Sequence, residues 1–526
     1  MANTSEYAVT ALLSLAAVAG FVFLLRCQAT KHDPREPPLI PQPVFWIGHL
    51  LGLIRKGSRY YANVSARYPL PIYTLEVPRS KLYVVNSPEL VAVVERSSKT
   101  ISFAPYVLQF AKRVVLPSRE AEDALSQNLN GEAGKRGCRI ETHSAMHEAM
   151  APGDGLDHMS STMLQSLFGL LDSKTASTGP RRFNLFMWIR HIVTLATTNA
   201  AYGPSNPFRD PAMEDAIWTL NDKFLFIAFN VYPQLTAWKA HRAREKLFQG
   251  FRDYFAAKGH EHGSRLIQGR YEVNKKYVSV EDIGRFEVSI SIALLVNTAP
   301  TAFWTITSIY SDPLLLTSLR DKLSAFVSAS PSPVTPNKTV YRLDITEVIR
   351  GCPLLVSLVQ EVLRMQSTNA AGRMVLEDTL LDGRYLLRKG STVLIPAAQL
   401  HNDGSIWGES VGEFKPSRFI KQAGRHRETR IPASAFRAFG GGTALCPGRF
   451  FATTEILSLV AMLVLRYDIA PVGGKWNVPK GRPHIITSVL SPKQDVEVTV
   501  TEREGYEHVV WDFVLIESVS RPEPSL

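Results

Sequence analysis

The residues of this chain best suited to chemistry gather near its carboxyl end, where Phe436 to Leu457 reads FRAFGGGTALCPGRFFATTEIL. A lone cysteine is more often a small core hydrophobe than a reactive group. Cys446 is set apart by its neighbours. Three consecutive glycines, Gly440 to Gly442, let the backbone turn tightly and approach a flat ligand closely. Pro447 and Gly448 then lead into a predicted helix, whose amide N–H groups and positive end favour thiolate over thiol. A second group is Glu361 with Arg364, three apart on one face of a predicted helix. On a surface such a pair contributes only roughly 0.3–0.5 kcal/mol. A third is Asn297, within a long apolar run. Its amide can orient a water or a peroxide but does not titrate, although an asparagine commonly bonds nearby backbone instead. Pro300, three residues on, removes one helical hydrogen bond, frees the carbonyl of Val296 and bends the helix. His143 and His147 have the spacing of a helical metal pair, but no third ligand or HExxH glutamate goes with them. His260 and His262 lie in a polar, glycine-flanked turn and are expected to be solvated. Phe224, Phe226 and Phe229 suit either an apolar channel or plain core packing.

The elements that must position these residues are mostly helical. Apolar periodicity predicts helices over Phe183–Tyr202, Thr236–Ala257, Leu354–Gln366 and Arg449–Leu465, and one very long buried helix from Asp282 to Ser311. Alternation over Ile72–Val77 and Lys81–Val85 predicts a hairpin around Pro78-Arg79-Ser80. Further strands are expected near Arg384–Ile395 and Glu497–Val500. Length alone, 526 residues, would suggest about three domains. The body shows no repeat and no internal linker, so one large α+β domain is the expectation.

Hydrophobic residues make up 45% of the chain and charged residues 20%, which suits a large core and excludes a disordered chain. The formal net charge of +11 is consistent with a solvated basic surface, an anionic membrane face or an acidic protein partner. No zinc-finger, basic-zipper or RNA-binding signature accompanies it, which speaks against nucleic acid. Four cysteines without a CxxC pair point to a reducing compartment. Ala8 to Leu25 carries no charge over about 18 residues, enough to span a bilayer as a helix. Glu6 is the only charge before it, while Arg26, Lys31 and Arg35 follow. This fits an uncleaved anchor with the body in the cytosol better than a signal peptide. Residues 26–50, rich in proline, read as a stiff extended connector. The body then runs over 51–504, and 505–526 form an extension of unassigned role.

Phe439, Gly442, Cys446 and Gly448 match F-x-x-G-x-x-x-C-x-G, the haem-binding signature of the cytochromes P450. From about Pro34 to Glu504 the chain resembles that family. The resemblance implies a mainly α (α+β) domain with small sheets, carrying heme b with Cys446 as axial ligand of the iron and Phe439 beside it. Where the family usually has Arg or His to pair with a haem propionate, this chain has Ala444. Other cations are then needed: Arg373 by position, and His143, in a helix where the family often has a Trp and an Arg. Glu361 and Arg364 match the family's E-x-x-R pair, with Arg418 in FKPSRF as its third partner and HNDGSIWGESVGEF from His401 as the usual lead-in. That triad is structural. In the long helix most members carry a carboxylate followed by a threonine that relay protons during oxygen activation. Here those positions hold Val296 and Asn297, so Asn297, with Thr298 and Thr301, is the candidate catalytic group.

The stretch Asn297 to Trp304 further resembles a branch containing sterol 7α-hydroxylases and prostacyclin synthase. What this implies is split. One expectation is a monooxygenase of a sterol- or terpenoid-like molecule, possibly in secondary metabolism, fed with electrons by NADPH-cytochrome P450 reductase at the endoplasmic reticulum membrane. The other is an oxygen-independent isomerase or dehydratase of peroxides. A haem protein that only binds ligands would show a damaged core motif, and the motif is intact.

Overall fold

The computed structural model describes residues 32–42, 47–78, 80–175, 179–224, 227, 232–333, 338–420, 431–482, 487–506 and 509–516. The expected anchor at Ala8–Leu25 lies outside them, as do Phe226 and Phe229. The chain forms two compact units. The first comprises residues up to Phe103 together with Ala370–Leu400, the second Ala104–Asn369 with His401 onward.

In the first unit the expected hairpin forms, Ile72–Val77 pairing antiparallel with Ser80–Val85 and Ile72 opposite Val85. Ser80–Val85 continues in parallel to Thr392–Pro396, which pairs with Ala370–Val375 and so with Ile101–Ser102, giving five strands. Ile72, Tyr83, Val85, Val393 and Ile395 bury their side chains in one core beside this sheet. Of the expected connector, Pro34–Pro37 form a turn, Pro38–Gln42 run extended but docked rather than free, and Gly48 already opens the helix Gly48–Lys56. Thr74 N–H donates to Pro38 O (2.8 Å), Ile40 N–H to Thr74 O (3.0 Å) and Thr74 Oγ1 to Pro37 O (2.7 Å). Prolines hold the backbone extended and leave its carbonyls unused, so the neighbouring strand takes them. Glu36 is anchored by Lys81 Nζ (2.7 Å) and the Tyr83 hydroxyl (2.7 Å), all three buried.

The second unit is helical. Its centre is Arg449–Arg466, buried along nearly its whole length, with Thr298–Tyr310 and Asp154–Thr175 packed against it. Pro353–Gln366 and Trp238–Ala256 match the predicted helices to within two residues. Leu185–Tyr202 ends at Gly203 (φ 70°) as expected, yet Phe183, taken for its first turn, sits in the strand Arg181–Asn184, which pairs with Glu497–Glu502. The carboxylate of Asp495 then accepts from Phe186 N–H (2.7 Å) and Met187 N–H (3.0 Å), starting the helix where the strand ends.

The single long helix expected over Asp282–Ser311 is two helices, Val280–Leu295 and Thr298–Tyr310, parted by Val296 and Asn297. Pro300 has no N–H to give to the Val296 carbonyl, so the break falls one turn before it. The carboxyl-terminal extension also acquires a place. Val509–Val514 adds in parallel to Thr339–Asp344, which pairs antiparallel with Val327–Pro331. Alternation puts Trp511 and Phe513 inward, and Phe513 packs on Phe168 at a centroid distance of 5.7 Å. His260 is not solvated: it is buried, its ring 3.7 Å from that of Tyr271, whereas His262 is exposed.

Candidate active site

Cys446 N–H donates to Phe439 O (2.9 Å), closing the glycine-led stretch into a loop. Two of its glycines are required by the backbone. Gly440 (φ 76°) and Gly442 (φ 57°) are left-handed, and a Cβ on Gly440 would stand 2.8 Å from Ala444 O. From the second of them the chain compacts into a short 3-10 turn, Gly442–Ala444. Gly448 N–H reaches the Cys446 sulfur, and Arg449 Nη1 donates to Cys446 O (3.2 Å). The charge state differs from the expectation drawn from the helix end. Burial pushes the Cys446 thiol up, and the Gly448 amide and the Arg449 charge oppose it without reversing it. The helix end therefore does not make the free sulfur a thiolate; that state needs a bound metal, which deprotonates a coordinating thiol outright.

The loop is held from behind. Glu361 and Arg364 are fully buried and paired side-on, Nε to Oε2 at 2.8 Å and Nη2 to Oε1 at 2.9 Å. Arg418 Nε closes on the same carboxylate at 2.9 and 3.0 Å, and Lys415 N–H adds a fourth donor (3.0 Å). The guanidinium of Arg418 also gathers the carbonyls of Trp407 (3.2 Å), Ser410 (2.7 Å) and Glu413 (3.0 Å). This is the expected triad, and its burial sets it apart from a surface pair. From it the ties run on to the cysteine. Arg364 Nη1 donates to His401 O (2.7 Å), His401 Nε2 accepts from Arg437 N–H (2.8 Å), and Arg437 is two residues from Phe439. Burial lowers the His401 imidazole to about 3, so it stays neutral and can accept. His401 opens the segment HNDGSIWGESVGEF, a place that by itself assigns the imidazole no part. The signal was there, in a histidine opening the segment that delivers Arg418.

At the helix break Asn297 has turned its side chain away from its own helix. It occupies the N-terminal position of Thr298–Tyr310 without capping it, and Oδ1 accepts from Ser488 N–H (2.8 Å) and Val489 N–H (3.2 Å). Thr301 Oγ1 donates to Asn297 O (2.7 Å) and Thr298 Oγ1 to Leu294 O (3.3 Å). The structure thus brings the three distal candidates together, with both threonine protons engaged at helix carbonyls. Val296 is buried and has no proton to offer. Thr298–Tyr310 packs directly on Arg449–Arg466, the helix that Cys446 introduces.

The remaining candidates are distributed. His143 and His147 lie on Cys138–Met150 with their Nε2 atoms 3.2 Å apart. Burial lowers His143 to about 4 and His147 less far, the Arg449 charge adding to the effect on His147. A neutral His143 would serve a propionate as a hydrogen-bond donor rather than as the cation expected. Met150, at the end of that helix, packs against the cysteine loop, its Cε 3.7 Å from where a Cβ on Gly448 would stand. Phe439 is half-buried against the core of the second unit, and Phe224 stacks on Phe110 at 5.7 Å. Arg373 is in the first unit, buried in Ala370–Val375 opposite Val393, with Nη1 donating to Gly372 O (3.2 Å).

A sulfur offered by a glycine loop at the head of a buried helix, with a buried glutamate–arginine clamp behind it, is the construction of a haem-thiolate protein. The comparisons agree. The chain belongs to the cytochrome P450 family, whose model matches residues 37–500. It is 37% identical over 500 residues to "Cytochrome P450 monooxygenase nodJ" of Hypoxylon pulicicidum, covering 93% of this chain and 94% of that one. It is 24% identical to "Cytochrome P450 7B1" of Mus musculus, covering 89% and 90%, and 26% identical to "25-hydroxycholesterol 7-alpha-hydroxylase" of Rattus norvegicus, covering 65% and 85%. The protein is therefore an oxidoreductase of a family whose cofactor is heme b. The loop fits that group: its one soft donor, Cys446, is partly buried and unbridged, next to left-handed glycines that keep the backbone bare. Bound there, the haem supplies the oxidising chemistry and the thiolate lends it electron density.

Proposed function

We propose that this P450 is a monooxygenase that hydroxylates or otherwise oxidises a sterol- or terpenoid-like molecule, in secondary metabolite biosynthesis, with O2 and electrons from NADPH-cytochrome P450 reductase. The observation that carries the reading is Cys446 in its loop, supported by the 37% identity to a fungal monooxygenase across nearly both chains. The sterol-like class rests on similarity to a protein named for 25-hydroxycholesterol and on the motif at Asn297. Ala8–Leu25 anchors the chain in the endoplasmic reticulum membrane with the catalytic body in the cytosol. Within the site Cys446 holds the iron, Gly448 N–H steadies the sulfur, and Asn297 with Thr298 and Thr301 occupies the distal helix break.

A second reading, an isomerase or dehydratase of peroxides, is favoured by one feature: Val296 stands where a proton-relaying carboxylate is usual. The two are separated by turnover of sterols, terpenoids and hydroperoxides, with and without oxygen and reductase. Strict dependence on NADPH and oxygen supports the first, and turnover without either supports the second. Both need the iron–sulfur bond. Cys446→Ser should abolish the red-shifted absorbance band of the reduced carbon-monoxide complex, and an unchanged band in that variant removes both readings.

A further inference from the structure

Asn297 makes a connection that proton relay does not require. The two N–H groups on its Oδ1 come from Ser488 and Val489, 191 and 192 residues further along the chain. Two donors on one atom also fix which prong of the amide is oxygen, leaving Nδ2, a donor only, for the other side. The Ser488–Leu490 segment, bridged to Ser367 through Val489, is tied from both flanks. On one side Trp304 Nε1 donates to Leu490 O (2.6 Å), from one helical face with Asn297. On the other, Thr368 N–H donates to Ser488 O (2.8 Å) and Leu490 N–H to Gln366 O (3.0 Å), at the end of the helix that carries Glu361 and Arg364. Asn297 and Ser488 are partly buried, and their neighbours Val296, Thr298, Thr487 and Val489 are buried.

We infer that Asn297 is a positioning residue that locks the Ser488–Leu490 segment to the broken helix and thereby sets the contour of the substrate space. Resting on the haem-thiolate reading, this assigns the asparagine a role in specificity beyond any contact with oxygen. A helix-capping or solvated polar residue at 297 would leave Ser488 N–H without an acceptor, whereas a carboxylate would keep both bonds.

Asn297→Asp and Asn297→Ala therefore separate the roles. Amide hydrogen exchange over residues 487–490, read on the full-length haem-loaded protein, should quicken about tenfold in Asn297→Ala and stay within about twofold of wild type in Asn297→Asp. Segments of the hairpin Ile72–Val85 serve as the control for global unfolding. Spectral titration of the ferric protein with imidazole and with the bulkier 4-phenylimidazole gives a second readout. The ratio of the two affinities should shift about fivefold in the alanine variant and return to wild type in the aspartate variant. Should Asn297→Ala fold poorly, Trp304→Phe removes the second tie to the same broken helix and should quicken exchange over the same segment. Unchanged exchange in Asn297→Ala overturns the lock, and quickened exchange with an unchanged azole ratio overturns the role in specificity. Loss of the carbon-monoxide band in Cys446→Ser is a separate result, so failure of this inference is distinguishable from failure of the haem-thiolate reading.

Discussion

Glu455 shows how far burial can move a single group. It lies nine residues after Cys446 in the Arg449–Arg466 helix and is fully buried, and its Oε1 accepts from Thr197 Oγ1 (2.6 Å). Burial raises its carboxyl to about 8, only partly offset by that hydroxyl. Because the folded value lies above the unfolded one of about 4.3, the folded state holds an extra proton between the two. Stability is fully present below the unfolded value and is lost as pH rises toward 8, by about 1.4 kcal/mol per pH unit. Gln cannot ionise. Glu455→Gln should therefore gain stability over wild type between pH 6 and pH 8.5, increasingly with pH, in denaturant titrations; a constant difference across that range would place the carboxyl outside this account. His401 titrates with the opposite consequence. Its folded value of about 3 is below the ordinary 6.5, so its contribution is present above 6.5 and is lost as pH falls toward 3. At the same scale, Glu361→Ala leaves the Arg364 guanidinium buried without its carboxylate and should cost about 3–5 kcal/mol. Reduced haem incorporation and a lowered unfolding temperature are the measures.

Among the elements, the added strand Val509–Val514 is the plainest case of a segment with a task in the fold. It covers Thr339–Asp344, Arg342 Nε donates to Asp512 Oδ2 (2.7 Å), and Thr346 Oγ1 to Ile516 O (2.9 Å). Trp511 and Phe513 together bury two aromatic side chains, each contributing about 1.5–3 kcal/mol when fully buried. Removing residues 505–526 should lower the unfolding temperature by several degrees and expose Thr339–Asp344 as an open edge prone to association. An unshifted unfolding temperature in the truncated protein counts against it. The helix break is a second element-level device. Pro300 decides that a break occurs, while Asn297 and Trp304 decide what the broken segment grips.

For the whole molecule, on the proposed monooxygenase reading, the net charge of +11 bears on encounter with an electron donor rather than on the fold. If an acidic reductase docks by charge, reduction by it should slow several-fold between about 50 and 300 mM salt, while stability changes little. Stopped-flow reduction at graded ionic strength measures this, and a salt-independent rate would show that the basic surface takes no part.

Arg418 was legible only through the family resemblance, and the longest helix, Asp154–Thr175, was not foreseen, whereas the cysteine loop, the Glu361–Arg364 pair and the helices Leu185–Tyr202, Trp238–Ala256, Pro353–Gln366 and Arg449–Arg466 were legible in residue types and spacing. Those features are local: left-handed glycines, a three-residue helical step and apolar periodicity act within a few positions of one another. Tertiary structure alone decided the rest, because burial and long-range bonds have no local trace. It turned Asn297 toward a turn 191 residues away and inserted the extension into a sheet. It buried His260, and it raised the Cys446 thiol by desolvation that the helix end does not overcome.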